Sequence, residues 1–329
     1  MRIGVFCSGG DAPGMNACVR AVVRTALSLG HEVMGIRRGY QGLLEKQFHL
    51  NPAGQPWMTL RCVSDWVAHG GAFLHSSRSK VFRDTAGQKQ AAAILKEAEI
   101  DALVPVGGDG TFRGAIALSK YWDGKIVCCP GTIDNDLLGT DYTIGFSTAV
   151  QTAVDAVDKI RDTAHSHDRM FLIEVMGRHS GYIAVYTAIA SGAEMVAIPE
   201  TTTDYRAIMD QLNALKHRGK NSIMMIVAEG DETGGAEILN DQLQQLGCPF
   251  DTRVVVLGHL QRGGAPTPED RRRASQMGYG AVLALARGET GVMIGTQDDD
   301  CVSVPLEETF ASHRPIPRHL LDMLERLAS

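Results

Sequence analysis

Asp134 and Asp136 stand one residue apart in the run Gly131-Thr132-Ile133-Asp134-Asn135-Asp136. One carboxylate of such a pair can take a proton from a hydroxyl while the other serves a metal shell. In an extended segment residues i and i+2 share a face, so both can point into one site. An Asx turn explains the same residues equally well, because Asp and Asn bond their own backbone in turns. A further carboxylate, Asp109, lies inside Gly107-Gly108-Asp109-Gly110-Thr111. The glycines let the chain approach phosphates closely, and Asp109 can meet a Mg²⁺ held by them, an ion that takes one or two carboxylates and fills its shell with phosphate oxygen and water. Gly108-x-Gly110-x-x-x-Gly114 also looks like a dinucleotide fingerprint. Its spacing is one residue too long, and Asp109 would repel a pyrophosphate without a metal, so the metal reading is preferred.

The first glycine loop, Ser8 to Gly14, offers backbone N–H groups at a helix start, with Pro13 placed as an early helical residue. A plain tight turn fits as well, and no GxxxxGK[ST] phosphate loop is present. Cations gather in similar places: Arg178, His259 and Arg262 after apolar runs, Arg169 and Arg253 just before them. Any one arginine is by default a surface ion-pair partner. Several together suit more than one phosphate group, because guanidinium binds phosphate bidentately and stays charged. Glu229 fits a sugar-hydroxyl acceptor or a strand-end cap.

These residues must be positioned by the elements around them. Short β-branched runs end in glycine-containing turns and are usually followed by helical periodicity. The runs are Arg2–Cys7, Asp101–Val106, Lys125–Cys129, Met170–Val175, Ser222–Ala228 and Arg253–Leu257. Helices are expected over Met15–Leu29, Phe112–Lys120, Ser180–Ser191 and Pro268–Leu285. Strands apolar on both faces and alternating with helices predict a covered parallel sheet, with ligands outside the carboxyl ends of the strands. Arg271–Arg273 and Asp298–Asp300 are expected to be solvated surface, and Met224-Met225 a core pair.

The 329 residues are 44% hydrophobic with net charge −6, which argues against a chain-wide nucleic-acid surface. The seven cysteines form no CxxC pair or zinc-like set, so reduced packed thiols are expected, with Cys7 the one candidate for reactivity. The apolar runs Ile3–Cys7 and Ile183–Ala190 are too short for a signal peptide and a membrane span, so a cytoplasmic protein with no membrane partner is expected.

Ser8–Asn16 (SGGDAPGMN), Gly107–Thr111 (GGDGT), Pro130–Asp136 (PGTIDND), Arg161–Arg169 (RDTAHSHDR), Glu174–Arg178 (EVMGR) and Leu257–Gly264 (LGHLQRGG) together resemble the bacterial ATP-dependent 6-phosphofructokinase family, from Gly4 to about Gly295. GGDGT alone is shared with lipid and NAD kinases, whereas the set in this order is specific. The resemblance implies an α/β fold of two doubly wound three-layer domains with mainly parallel sheets. Residues 1–144 plus 262–308 would bind nucleotide, and 145–261 plus 309–329 sugar phosphate. It implies transfer of a phosphoryl group from ATP to the 1-hydroxyl of fructose 6-phosphate, in glycolysis.

By matching position, Asp134 is the implied base, with Thr132, Arg78 and Arg178 also catalytic. Gly10, Arg78, Ser79, Gly108, Asp109, Gly110 and Thr111 would bind ATP, and Asp109 and Asp136 would hold Mg²⁺. Fructose 6-phosphate would meet Thr132, Ile133, Asp134, Met176, Gly177, Arg178, Glu229, His259, Leu260, Gln261 and Arg262. Arg169 and Arg253 would reach its 6-phosphate from a neighbouring subunit, which makes a homotetramer the expected assembly. Arg20, Arg24, Arg161, Glu194, Arg218 and Lys220 match an effector site for ADP or phosphoenolpyruvate. Gly110 and Gly131 match ATP users, where pyrophosphate users tend to carry Asp and Lys. Ser79, Gln88 and His75 depart from the usual aromatic, arginine and glycine, and about three residues are added between Glu229 and Arg253 by motif matching. The competing readings are a same-fold kinase using pyrophosphate or another sugar phosphate, and an inactive regulatory relative. The last should lack one of Asp109, Asp134 and Asp136, and all three are present.

Overall fold

The computed structural model describes residues 1–327. Its strands are β1 (Arg2–Cys7), β2 (Glu32–Gly35), β3 (Ala102–Gly107), β4 (Lys125–Pro130), β5 (Arg169–Val175), β6 (Met195–Ala197), β7 (Ile223–Ala228), β8 (Asp251–Val256), β9 (Val292–Gln297) and β10 (Asp300–Pro305). The helices are α1 (Met15–Ser28), α2 (Gly39–Leu44), α3 (Thr85–Glu97), α4 (Asp109–Ser119), α5 (Phe146–His167), α6 (Tyr182–Ser191), α7 (Tyr205–His217), α8 (Ala236–Gln245), α9 (Pro268–Arg287) and α10 (Arg318–Leu327). The chain divides into two compact units. Unit 1 is Met1–Ile133, Leu137–Thr148 and Arg262–His313; unit 2 is Asp134–Asp136, Ala149–Gln261 and the chain from Arg314 onward. Ala328 and Ser329, the end of the expected second domain, lie outside the described residues.

Unit 1 is built on a six-stranded sheet in the order β10-β9-β4-β3-β1-β2. Five strands are parallel, and β10 returns antiparallel to β9. Ile3, Val5 and Phe6 of β1 are all fully buried, as expected of a strand covered on both faces. Phe6, Leu103 and Cys128 pack with Leu95 of α3 and Phe112 and Leu118 of α4. Unit 2 carries an all-parallel sheet in the order β6-β7-β5-β8. Met170, Leu172, Ile223 and Met225 form its core with Leu212 and Leu215 of α7 and Leu239 and Leu243 of α8. Met224 is also fully buried, so the Met224-Met225 pair is core as expected.

The expected strands are present, with ends shifted by one or two residues. The short strands β2 and β6, the β9–β10 hairpin and the 22-residue α5 were not foreseen. Pro13 is not helical: it sits two residues ahead of α1, because Gly14 takes φ 108° there and breaks the helical path. The Asp298–Asp300 run is not simply solvated charge. Asp298 and Asp299 take φ 47° and 69° at the hairpin turn, a conformation short polar residues tolerate. Arg273 is likewise not surface decoration, since its guanidinium covers the Tyr142 ring at 4.7 Å and pairs with Asp299 at 3.0 Å.

A buried carboxylate organises the start of α5. Asp270, in the first turn of α9, is fully buried and accepts from Gly145 N (2.7 Å), Thr148 N (2.8 Å) and Thr148 Oγ1 (2.5 Å). Burial pushes its carboxyl up to about 6 against the pull of these hydrogen bonds. The folded chain therefore holds this proton more tightly than the unfolded chain. The linked stability is full below the ordinary aspartate range near 3.8 and is lost as pH rises through about 6. Asp270→Ala, which strands three donors, is expected to cost about 2–4 kcal/mol in denaturant unfolding at neutral pH. Against Asp270→Asn, the native chain should gain relative stability as pH falls from about 7 to about 5.

Candidate active site

In unit 1 the loops after β1, β3 and β4 are stitched edge to edge. Ser8 N donates to Val106 O (3.0 Å) and Gly131 N to Gly107 O (3.0 Å), extending the parallel ladder past the strand ends. The Thr111 hydroxyl is buried and donates to Ser8 O at 3.1 Å, tying the two glycine loops together. Tyr40 Oη donates to Thr111 O at 2.8 Å from behind. Thr111, expected to cradle phosphate, thus spends its side chain holding the cradle. Gly108 caps α4, and a Cβ on it would lie 3.5 Å from Thr132 Cβ, so these two expected site residues are neighbours. Gly110 follows in the first turn of α4, where an added Cβ would meet nothing within 4 Å. Asp109, half exposed in that same turn, approaches Arg113 at 3.9 Å.

Arg78 is exposed on a segment bound to the first loop. Gly9 N donates to Ser77 O (3.3 Å), and Ser76 Oγ donates to Gly9 O (2.8 Å). Ser79 Oγ donates to Gln41 Oε1 (2.6 Å) and receives Phe82 N (3.2 Å), so it closes a turn. Gln88 bonds the carbonyls of Phe82 and Arg83, and His75, at φ 57°, lies 2.7 Å from the Arg37 guanidinium. Arg262 donates to Asp11 O at 3.1 Å and lies against Gly10, where a Cβ would stand 2.7 Å from Nη1. Cys7 is buried on β1, and burial pushes its thiol up to about 12, so it is one of the packed thiols expected and not the reactive candidate.

The carboxylate pair departs from the extended geometry expected for it. Asn135 between the aspartates takes φ 50°, so the rule that i and i+2 share a face does not apply. Asp134 is 4% exposed, and its carbonyl accepts from Ser180 Oγ at 2.9 Å. Asp136 is half buried, and its carbonyl accepts from Arg314 N at 3.1 Å. Ile133 is fully buried, which leaves only its backbone for a ligand.

In unit 2 the turn after β5 is held by side chains from two other segments. Met176 N donates to Gln261 Oε1 (2.8 Å), and Arg178 N donates to Glu229 Oε1 (2.9 Å). Gln261 is fully buried and Met176 nearly so, whereas Arg178, His259 and Leu260 are exposed. Glu229 therefore acts as the strand-end cap that the sequence allowed. Arg169 and Arg253 converge on Asp251, at 2.9 and 2.7 Å, and the Arg169 hydrogen bond first among these holds its carboxyl below the usual range.

Of the expected effector residues, Arg161 and Lys220 meet the buried Glu194 carboxylate at 3.8 and 2.5 Å, and Met224 N donates to it at 2.7 Å. Arg218 is exposed at the end of α7, and Arg20 and Arg24 stand one turn apart on α1 in unit 1. Sequence reasoning missed the tying residues Tyr40, Ser76, Ser77, Asp251 and Asp270. Asp251 had a usable signal, as a lone carboxylate two residues before an arginine already singled out.

The phosphofructokinase family profile matches residues 2–285. The chain is 49% identical over 327 residues to ATP-dependent 6-phosphofructokinase 1 of Thermus thermophilus, covering 99% of both chains. It is 43% identical over 326 residues to ATP-dependent 6-phosphofructokinase 2 of Bacteroides thetaiotaomicron, covering 99% of this chain and 98% of the other. Its structure is similar to that of phosphofructokinase from Saccharomyces cerevisiae, with TM-score 0.84 and 36% identity. That match covers 93% of this chain and 45% of the yeast chain.

The charge cluster in unit 2 gives a graded expectation. Glu194→Ala leaves the buried Met224 amide without its acceptor and should cost about 1–3 kcal/mol in denaturant unfolding. Lys220→Ala, which removes a partly exposed partner, should cost less than about 1 kcal/mol.

Proposed function

Because this chain belongs to the phosphofructokinase family, we propose that it transfers the γ-phosphoryl group of ATP to the 1-hydroxyl of fructose 6-phosphate, giving fructose 1,6-bisphosphate and ADP. The observation that carries the choice of donor is the open space around Gly110 in the first turn of α4. A helix start with free amides accepts phosphate oxygens, and a side chain at 110 would occupy the room that an α-phosphate needs. An aspartate there would add repulsion. Gly131 is crowded instead, with Met15 Cε 2.7 Å from an added Cβ, so a lysine could not enter without displacement.

Asp134 serves as the base that receives the hydroxyl proton. A modest base suffices, because in a loose transition state that proton leaves late. Arg78 and Arg178 meet the charge on the moving group, and Thr132 lies beside Gly108 at the same loop edge. Gly10 and Gly108 to Thr111 line the nucleotide phosphates. Met176, Gly177, Glu229, His259 and Arg262 hold the sugar, while Ile133, Leu260 and Gln261 contribute backbone or support. Asp109 and Asp136 have the chemistry for Mg²⁺. Among the described residues no group of three or more His, Cys, Asp and Glu gathers into a protein-only cage, which suits an ion completed by phosphate and water. Bound there, Mg²⁺ would neutralise charge on the β- and γ-phosphates.

Arg169 and Arg253 are assigned to the 6-phosphate of a neighbouring protomer's substrate, which requires a homo-oligomer, a tetramer in this reading. Arg20, Arg24, Arg161, Glu194, Arg218 and Lys220 are assigned to an effector, ADP or phosphoenolpyruvate. A hyperbolic velocity curve against fructose 6-phosphate, unchanged by either ligand, would remove that assignment. The reaction is a step of glycolysis, and the cytoplasm is the matching location. Among the described residues no helix is long and apolar enough to cross a membrane.

Initial rates with fructose 6-phosphate and either ATP or pyrophosphate, both with Mg²⁺, test the donor. Turnover with ATP alone is expected; turnover with pyrophosphate would sink the Gly110 argument, and none with either donor would sink the substrate. Asp134→Ser should leave ATP binding nearly unchanged while kcat falls at least about a hundredfold, the lower range for losing a positioned base. Near-normal turnover in that variant would take the base role from Asp134.

A further inference from the structure

Gly230 follows β7 directly after Glu229, and nothing so far gives it a role. It lacks the left-handed φ that would itself exclude a side chain. What excludes one is a neighbour. A Cβ at 230 would overlap the carbonyl oxygen of Arg178 and lie 2.6 Å from its carbonyl carbon, where real Cβ contacts are not seen under 3.0 Å. The backbone of Arg178 therefore rests against residue 230 at a distance only glycine permits.

That backbone is strained. Gly177 takes φ 145° and Arg178 φ 55°, the latter a left-handed conformation that non-glycine residues rarely adopt. Four contacts keep it there, all within unit 2. Gln261 Oε1 accepts from Met176 N, Glu229 Oε1 accepts from Arg178 N, Gly177 O accepts from Ser180 N at 3.0 Å, and Gly230 leaves the space into which the Arg178 carbonyl turns. Strain held from several sides marks a backbone whose direction matters. Here the direction at stake is that in which the Arg178 side chain, itself exposed, leaves the chain.

We infer that Gly230 is a positioning residue for phosphoryl transfer: together with Gln261 it fixes the Met176–Arg178 turn and so sets where the Arg178 guanidinium is delivered. The inference rests on the kinase reading above and adds to it two residues that act through Arg178. A substitution at 230 should thus cost rate rather than nucleotide affinity, since displacing a charge-stabilising group by about an ångström can cost up to about a hundredfold.

The test is a double-mutant cycle on the full-length protein with fructose 6-phosphate and ATP. Gly230→Ala should lower kcat by about tenfold to a hundredfold and leave the KM for ATP within about twofold. In an Arg178→Ala background the same change should lower kcat by less than about twofold more, because no guanidinium is left to place. Gly247→Ala in the same unit puts alanine at φ 82° with nothing within 4 Å, and it should leave kcat unchanged while reporting the effect of a general loss of stability. Losses that multiply in the double variant overturn the inference, as does wild-type turnover in Gly230→Ala or in Arg178→Ala. If Gly230→Ala fails to fold by circular dichroism, Gln261→Met, which removes the acceptor for Met176, enters the same cycle and must show the same non-additivity. An inactive native chain overturns the kinase reading, and this inference with it; multiplying losses in active variants overturn the inference alone.

Discussion

Parallel strands deliver the loops that follow them to one edge of a sheet, and the chemistry of unit 1 depends on that constraint. The edge is not formed by the strands alone. Hydrogen bonds from Ser8 to Val106 and from Gly131 to Gly107 carry the ladder beyond them, and the buried Thr111 hydroxyl fastens the first loop to the second. Each tie ends on a backbone carbonyl, two reached by backbone N–H donors and one by the Thr111 hydroxyl. At the start of α4 the Thr111 and Phe112 amides both turn back to Gly108 O, at 2.9 and 3.2 Å. Close packing behind the edge, with Phe6, Tyr40 and Phe112 in one cluster, keeps these loops from relaxing.

The parallel sheet and the glycine loops after its strands were legible because their signals are local. A run such as Ile223–Ala228 is apolar throughout, as a strand buried on both faces must be, and the glycines after each run mark the turns. The strands β2 and β6, with four and three residues, carry too little pattern to separate from loops. The hairpin β9–β10 was hidden by its own turn, since Asp298-Asp299 reads as surface charge until its strand partners are known. Arg273 shows the same limit. Its neighbours in sequence are charged, but its partners are Tyr142 and Asp299, distant along the chain. The path through unit 2 at Asp134–Asp136 has no compositional mark at all.

For the site itself, residue types were readable and backbone torsions were not. Asp134 and Asp136 could be picked from the sequence, while the left-handed Asn135 that decides how they are presented could not. Several non-glycine residues with positive φ fall in segments that carry expected site residues: His75 near Arg78, Asn135 between the aspartates, and Arg178 itself. Such residues cost energy unless surrounding structure holds them, and the holding groups, Glu229 and Gln261 among them, come from elsewhere in the chain. Residue type alone does not separate holding a turn from touching a ligand, because both demand a polar side chain at a strand end.

Charge is distributed in two ways, and the difference bears on function. Glu194 is buried between two partly exposed cations, so removing it leaves the buried Met224 amide without an acceptor. Arg169 and Arg253 share the exposed Asp251, where water screens the attraction and each pair is worth little. A pairing that weak can hold two guanidinium groups near one another without holding them against a better partner. A phosphate dianion offers more charge and more acceptor oxygens than one carboxylate, and it can engage both arginines bidentately. The exposed triad thus has the energetics of groups kept together but available, whereas the buried one has those of a fixed support on which β7 and α5 depend.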